Sequence, residues 1–137
     1  MRNRGSAILV KDNQVVLIKR VRGELTYFVF PGGGIEEGET PEEATKREAL
    51  EELGVNIEVK ECFAEVVYNG TQYFFLCDII DGTIGNGQGE EYSNASMELG
   101  TYQPIWVDIN KLRIIEVRPK EVADKLLSIQ LKGQVEE

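Results

Sequence analysis

Residues 33–55, GGIEEGETPEEATKREALEELGV, carry the clearest local signal in the chain. Thr40 reads as an N-cap, Pro41 as the first helical residue and Glu43 as the partner in a Thr-x-x-Glu capping box. Gly54 follows the last good helix formers, where a left-handed C-terminal cap belongs. The spacing predicts a helix over 41–53, with Ala49, Leu50 and Leu53 facing the core. Just before it, Pro31 ends a strand and Gly32-Gly33-Gly34 follows. That run reads as a loop whose backbone can take positive φ or approach a ligand closely.

On this helix Glu48, Glu51 and Glu52 stand at i, i+3 and i+4, sharing an arc of roughly 100°. Like charges at that spacing repel by about 0.2–0.5 kcal/mol per pair, and the carbonyl end of the helix dipole disfavours Glu51 and Glu52 further. A divalent cation held between the carboxylates relieves the conflict. Mg²⁺ prefers oxygen ligands and is often held by few carboxylates, waters and substrate phosphates. The alternative is a solvated acidic face balanced in part by Lys46 and Arg47. The adjoining glycine run favours the first reading, since its backbone can offer a carbonyl to a metal or donors to a phosphate.

Working outward, residues 6–11 and 14–19 read as a hairpin around Asp12-Asn13, and a third strand covers 25–30. After the helix come strands at 56–60 and 62–68, the Asn69-Gly70 turn, and a strand at 71–80. A polar, glycine-rich stretch follows to Gly100; a loop of that length in a compact domain is usually functional or mobile. Residues 102–108 read as a last strand. A second helix runs from Arg118-Pro119 to about Leu131, with Val122, Ala123, Leu126, Leu127 and Gln130 forming a partly apolar face. The order is α+β, with a mixed, largely antiparallel sheet flanked by two helices.

The 137 residues, 42% hydrophobic and 28% charged, suit one domain over 1–137. The chain has no histidine, which excludes Ser-His-Asp triads and histidine-ligated metal sites. Its formal charge of −9 argues against a nucleic-acid-binding surface. Cys62 and Cys77 have neither metal nor redox-pair spacing and read as buried, reduced thiols. No apolar run approaches a membrane span, and the start is too short in apolar residues for a signal peptide, so a cytoplasmic protein away from membranes is expected.

Gly33, Glu39, Arg47, Glu48, Glu51, Glu52, Gly54 and Val55 together match G-x5-E-x7-R-E-U-x-E-E-x-G-U, the Nudix box, with U a bulky aliphatic. Only Ala49 departs, standing at the first U. Seven fixed residues at average usage would coincide at a given start with probability on the order of 10⁻⁸. The chain thus resembles the Nudix hydrolase family of MutT-like proteins, and the surrounding order of elements resembles its α/β/α sandwich.

The resemblance implies a metal-dependent pyrophosphohydrolase that splits a nucleoside diphosphate linked to another moiety, using Mg²⁺ or Mn²⁺. Glu51 and Glu52 look like metal ligands, with the Gly32 carbonyl beside them, and Glu48 like a further ligand or the base that activates water. Arg47 and Glu39 resemble the pair that braces the loop, with Gly33 and Gly34 close to substrate and Gly33 and Gly54 shaping the backbone. An acidic residue outside the box often joins the site. Glu91 is the first choice as ligand or base, ahead of Glu90 and Glu98. Lys19, Arg20 and Arg22 could reach substrate phosphates, while Tyr27, Phe28, Tyr73 or Trp106 could stack on a base. A small nucleotide-like substrate is the expected partner, and a homodimer is plausible by resemblance. Two other readings are a non-catalytic Nudix-fold module and an acidic Ca²⁺-binding helix. The first often loses box glutamates, all kept here; the second lacks the alternating Asp and Asn ligands of an EF-hand.

Overall fold

The computed structural model describes residues 2–84 and 101–136, with backbone alone at 101 and 131–136. Its elements fall into two compact units.

The first unit contains β1 (Arg4–Lys11), β4 (Gly32–Gly34), helix α1 (Pro41–Leu53), β5 (Asn56–Val67) and β6 (Thr71–Asp81). Its strand order is β5-β6-β1-β4, with β5/β6 and β1/β4 antiparallel and β1/β6 parallel. Ile8, Leu9, Val55 and Phe74 are fully buried, and Phe30 meets Phe74 edge to face at 5.7 Å. Asn69 and Gly70 turn β5 into β6 with φ of 53° and 104°. Asn and Gly tolerate this left-handed region, and such turns match strand twist.

Helix α1 spans the predicted residues, and both halves of its capping box form: Thr40 Oγ1 accepts from Glu43 N at 3.0 Å and Glu43 Oε1 from Thr40 N at 2.9 Å. Gly54 closes it at φ 72°, its N–H donating to the Leu50 carbonyl. The helix packs on β4 and β5. Ala44, Thr45, Ala49 and Leu53 form its buried stripe, whereas Leu50 is half exposed, against the expectation. At 100° per residue the stripe runs 44/45, 48/49, 52/53, leaving Leu50 beside it and placing Glu48 and Glu52 within it.

The glycine run also departs from the expected loop. Gly32–Gly34 pair with β1 as a short strand, Ser6 opposite Gly32 and Gly5 opposite Gly33. Close approach is the reason for glycine here. A Cβ on Gly32 would collide with Ser6, and one on Gly33 with the Glu48 carboxylate; one on Gly5 would come within 2.7 Å of the Pro41 carbonyl. The two strands expected at 56–68 are one, β5, carrying register shifts that include one between Cys62 and Ala64. Phe63 there is buried and Cys62 is exposed, so only Cys77 is the buried thiol expected of both.

The second unit contains β2 (Gln14–Arg22), β3 (Leu25–Val29), β7 (Thr101–Asp108), a 3₁₀ turn (Ile109–Arg113), β8 (Val117–Arg118) and α2 (Lys120–Glu136). β2 pairs antiparallel with β7 and β3, and β3 parallel with β8. Val15 to Ile18 are all fully buried, the pattern of a strand covered on both faces. Helix α2 packs on the 3₁₀ turn and β8 through Val122, Ala123 and Leu126. It runs beyond the expected end near Leu131. Asp12 and Asn13, both at positive φ, link β1 to β2. Among the described residues no helix is long and apolar enough to cross a membrane. The α+β class and the mixed, largely antiparallel strands are as the sequence suggested.

Candidate active site

The outer edge of β4 and one side of α1 bring the box residues together. Pro31 O accepts from Ala7 N and Ile35 N donates to Asn3 O, so these neighbours of β4 turn toward β1 and its extension. Backbone groups alternate along a strand, which turns the N–H and C=O of Gly32 and Gly34 outward. Gly32 N donates to Glu52 Oε1 at 2.8 Å, and Gly34 O accepts from Arg47 Nη2 at 3.0 Å.

Arg47 is the hub. Its Nε and Nη2 grip both oxygens of Glu39 at 2.7 and 3.0 Å, and its Nη1 reaches Glu48 at 3.0 Å and Glu51 at 3.2 Å. With Gly34 O, every N–H of the guanidinium is engaged, using the planar fork that distinguishes arginine from lysine. Glu39 Oε1 also accepts from Glu36 N at 2.9 Å, tying the turn before the helix to the same cluster. The Arg47 bonds, then the Glu36 N–H, hold the Glu39 carboxyl down at about 2, and Glu39 in turn raises Arg47 above its ordinary value.

Glu52 lies at the opposite electrostatic extreme. Burial, reinforced by the negative charge of Glu48, pushes its carboxyl up to about 8; the Gly32 N–H and the Arg4 charge pull the other way. Glu48 is mostly buried, between Arg47 and the Cα of Gly33. Glu51 is largely exposed. The three glutamates therefore do not meet at one point: Arg47 gathers Glu48 and Glu51, and Gly32 takes Glu52. Among the described residues no three acidic, histidine or cysteine side chains form a ready metal cluster.

Of the remaining candidates, Gly33 is buried with its Cα against Glu48, a supporting position rather than an open one. The Cα of Gly34 lies against the Arg2 guanidinium. Arg20 and Arg22 sit on β2 in the second unit, where Arg20 lies 5.0 Å over the Tyr102 ring. Tyr27 is buried under Arg118, whose guanidinium is 4.0 Å from its ring, and Tyr73 stacks on Phe75 at 6.4 Å. Phe28 and Trp106 are half-buried on β3 and β7. Glu90, Glu91 and Glu98 lie outside the described residues.

One residue the sequence reading passed over stands at this edge. Arg4 Nη2 points at the Gly32 carbonyl from 3.5 Å. The signal was present as Arg2-x-Arg4 ahead of an apolar strand, because residues two apart share a face of an extended chain.

An arginine-braced carboxylate helix thus lies against a glycine edge strand, gathering acidic side chains at one edge of the first unit. A family model described as the NUDIX domain matches residues 1–126, and the chain belongs to that family. It is 37% identical over 90 residues to an ADP-ribose pyrophosphatase of Methanocaldococcus jannaschii, covering 58% of this chain and 52% of that protein. It is 46% identical over 52 residues to an RNA pyrophosphohydrolase of Rickettsia typhi, covering 38% of this chain and 32% of that protein. The matches thus span from about a third to about half the length of these curated relatives. A solved NUDIX hydrolase from Nitrosomonas europaea superposes with a TM-score of 0.71 at 18% identity, over 96% of this chain and 89% of that one. At that identity the likeness is one of fold.

Proposed function

We propose that the protein is a cytoplasmic Nudix pyrophosphohydrolase that splits the phosphoric anhydride of a small nucleotide-like substrate. The observation that carries this reading is the placing of Glu48 and Glu52 on the buried stripe of α1, against Gly32 and Gly33, with Arg47 clamped to Glu39 alongside. The family match, which runs from residue 1 to 126, also supports reading the chain as one Nudix domain.

The donor set fits a hard divalent cation. It consists of the Glu48, Glu51 and Glu52 carboxylates and the Gly32 carbonyl, all oxygen, in a chain without histidine. The upward displacement of Glu52 is consistent with this, since burial, and then the charge of Glu48, raise it beyond what the Gly32 N–H and Arg4 offset. These four residues would hold Mg²⁺ or Mn²⁺, which when bound neutralises phosphate charge and acidifies water. Glu48, or Glu91 beyond the described residues, takes the proton from the attacking water, while Arg47 and Glu39 keep α1 and the β4 edge in register. Attack at one phosphorus then releases the other phosphate group, giving a nucleoside monophosphate and a phosphorylated remainder.

The test is product analysis with Mg²⁺, Mn²⁺ or chelator. The panel comprises ADP-ribose, 8-oxo-dGTP, ordinary nucleoside triphosphates, nucleotide sugars, dinucleoside polyphosphates and 5′-triphosphorylated RNA. Metal-dependent release of a nucleoside monophosphate or pyrophosphate is expected. A folded protein that cleaves none of them overturns the enzymatic reading in favour of a non-catalytic module.

A further inference from the structure

The two arginines at the β4 edge are in opposite states. Arg47 has no N–H left to give, so it cannot take a substrate oxygen without surrendering a carboxylate. Arg4 is exposed, and among the described residues its guanidinium makes one hydrogen bond, the long one to Gly32 O. Gly5 and Gly33 turn their Cα faces toward α1, where a Cβ would meet Thr45, Pro41 and Glu48. Alternation therefore puts Arg2 and Arg4 on the other face of β1 and its extension, and the Arg2 guanidinium is found against Gly34. The outward-turned Gly32 thus has Glu52 at its N–H and Arg4 at its carbonyl.

We infer that Arg4 is the phosphate-binding residue of this site, holding a non-bridging oxygen of the substrate's pyrophosphate beside Gly32, with Arg2 adding positive charge along the same face. A guanidinium with most of its fork unused is suited to bidentate phosphate contact. Without such a cation, a polyanion would approach Glu48, Glu51 and Glu52 against their combined charge. The inference rests on the pyrophosphohydrolase reading and extends it to the residue that receives the phosphate.

The experiment is calorimetric titration of the full chain with imidodiphosphate, a non-hydrolysable pyrophosphate analogue, in the presence of Mg²⁺. It compares wild type, Arg4→Ala, Arg4→Lys and, as a control on the 3₁₀ turn of the second unit, Arg113→Ala. Melting temperature and Mg²⁺ affinity are measured alongside. Arg4→Ala is expected to weaken imidodiphosphate binding at least tenfold, with melting temperature unchanged and Mg²⁺ affinity equal or higher, since a positive charge beside Gly32 O is lost. Arg4→Lys should recover part of the loss, and Arg113→Ala should match wild type. Wild-type affinity in a folded Arg4→Ala protein overturns the assignment of Arg4 while leaving the function intact. If Arg4→Ala does not fold, Arg4→Lys decides: full wild-type affinity there rejects the fork, and a reduced affinity in a folded protein supports it. Absence of Mg²⁺-dependent binding by wild type overturns the pyrophosphohydrolase reading and this inference together.

Discussion

Glu39, one residue before the N-cap of α1, and Glu52, in its last turn, are the same side chain under opposite conditions. Glu39 accepts two bonds from Arg47 and one from Glu36 N, near the end of the helix where the backbone dipole welcomes negative charge, and its carboxyl is held at about 2. Glu52 is drawn among packed atoms beside Glu48, where the dipole disfavours it, and its carboxyl rises to about 8. The difference separates structure from chemistry within one motif. Charge that is fully answered inside the protein braces the backbone, and charge that is under-answered is available to a cation from solution.

The largest effect that separates the two ends is expected from Glu52→Gln, which keeps the shape and the acceptor for Gly32 N while removing the charge. Hydrolysis should fall by more than about 100-fold with the melting temperature held or raised. Near-normal turnover in that folded variant would erase the distinction. Arg47→Ala strikes the answered end instead. It leaves Glu48 and Gly34 O without this donor and Glu39 with the Glu36 N–H alone, so a stability loss of about 1–3 kcal/mol in urea titrations should accompany a roughly 10–100-fold loss of activity. Arg47→Lys should behave almost as badly, because a single ammonium cannot replace the fork.

Acid sharpens the comparison further. Glu39 has a folded pKa of about 2 against an ordinary 4.5, so the stability it contributes is complete above about 4.5 and is lost as pH falls toward 2. In urea titrations across pH, Glu39→Gln should flatten the stability–pH curve in that window and lower it by a constant amount above it. The smallest effect belongs to Leu50, half exposed between the two ends. Leu50→Ala should shift stability by no more than about 0.5 kcal/mol, whereas Leu53→Ala, on the buried stripe, should cost about 2–5 kcal/mol.

The legible parts of the fold were those written locally. Thr40, Pro41, Glu43 and Gly54 mark both ends of α1, and each acts through a backbone group within four residues. Asn69-Gly70 likewise carries its own turn. What sequence reading mistook depended on partners far along the chain. Gly32–Gly34 look like a loop until β1 lies beside them, and Leu50 looks like a core residue until the stripe of α1 is fixed by β4 and β5. Glu39, Arg47, Glu48 and Glu52 were found through the motif. Arg4 was not, because Arg2-x-Arg4 ahead of an apolar strand names no partner until Gly32 is seen next to it.

Gly5 gives the same edge a mechanical meaning. Thr45 Oγ1 would lie 2.5 Å and the Pro41 carbonyl 2.7 Å from a Cβ placed on it, so β1 is a shim against which the first turn of α1 seats without clearance. A single methyl group at position 5 is a wedge under that seat. A tilt of the helix about that end would move Glu48 and Glu52 relative to the β4 edge. The alignment of the acidic centre is thus gauged from a residue that carries no functional group at all.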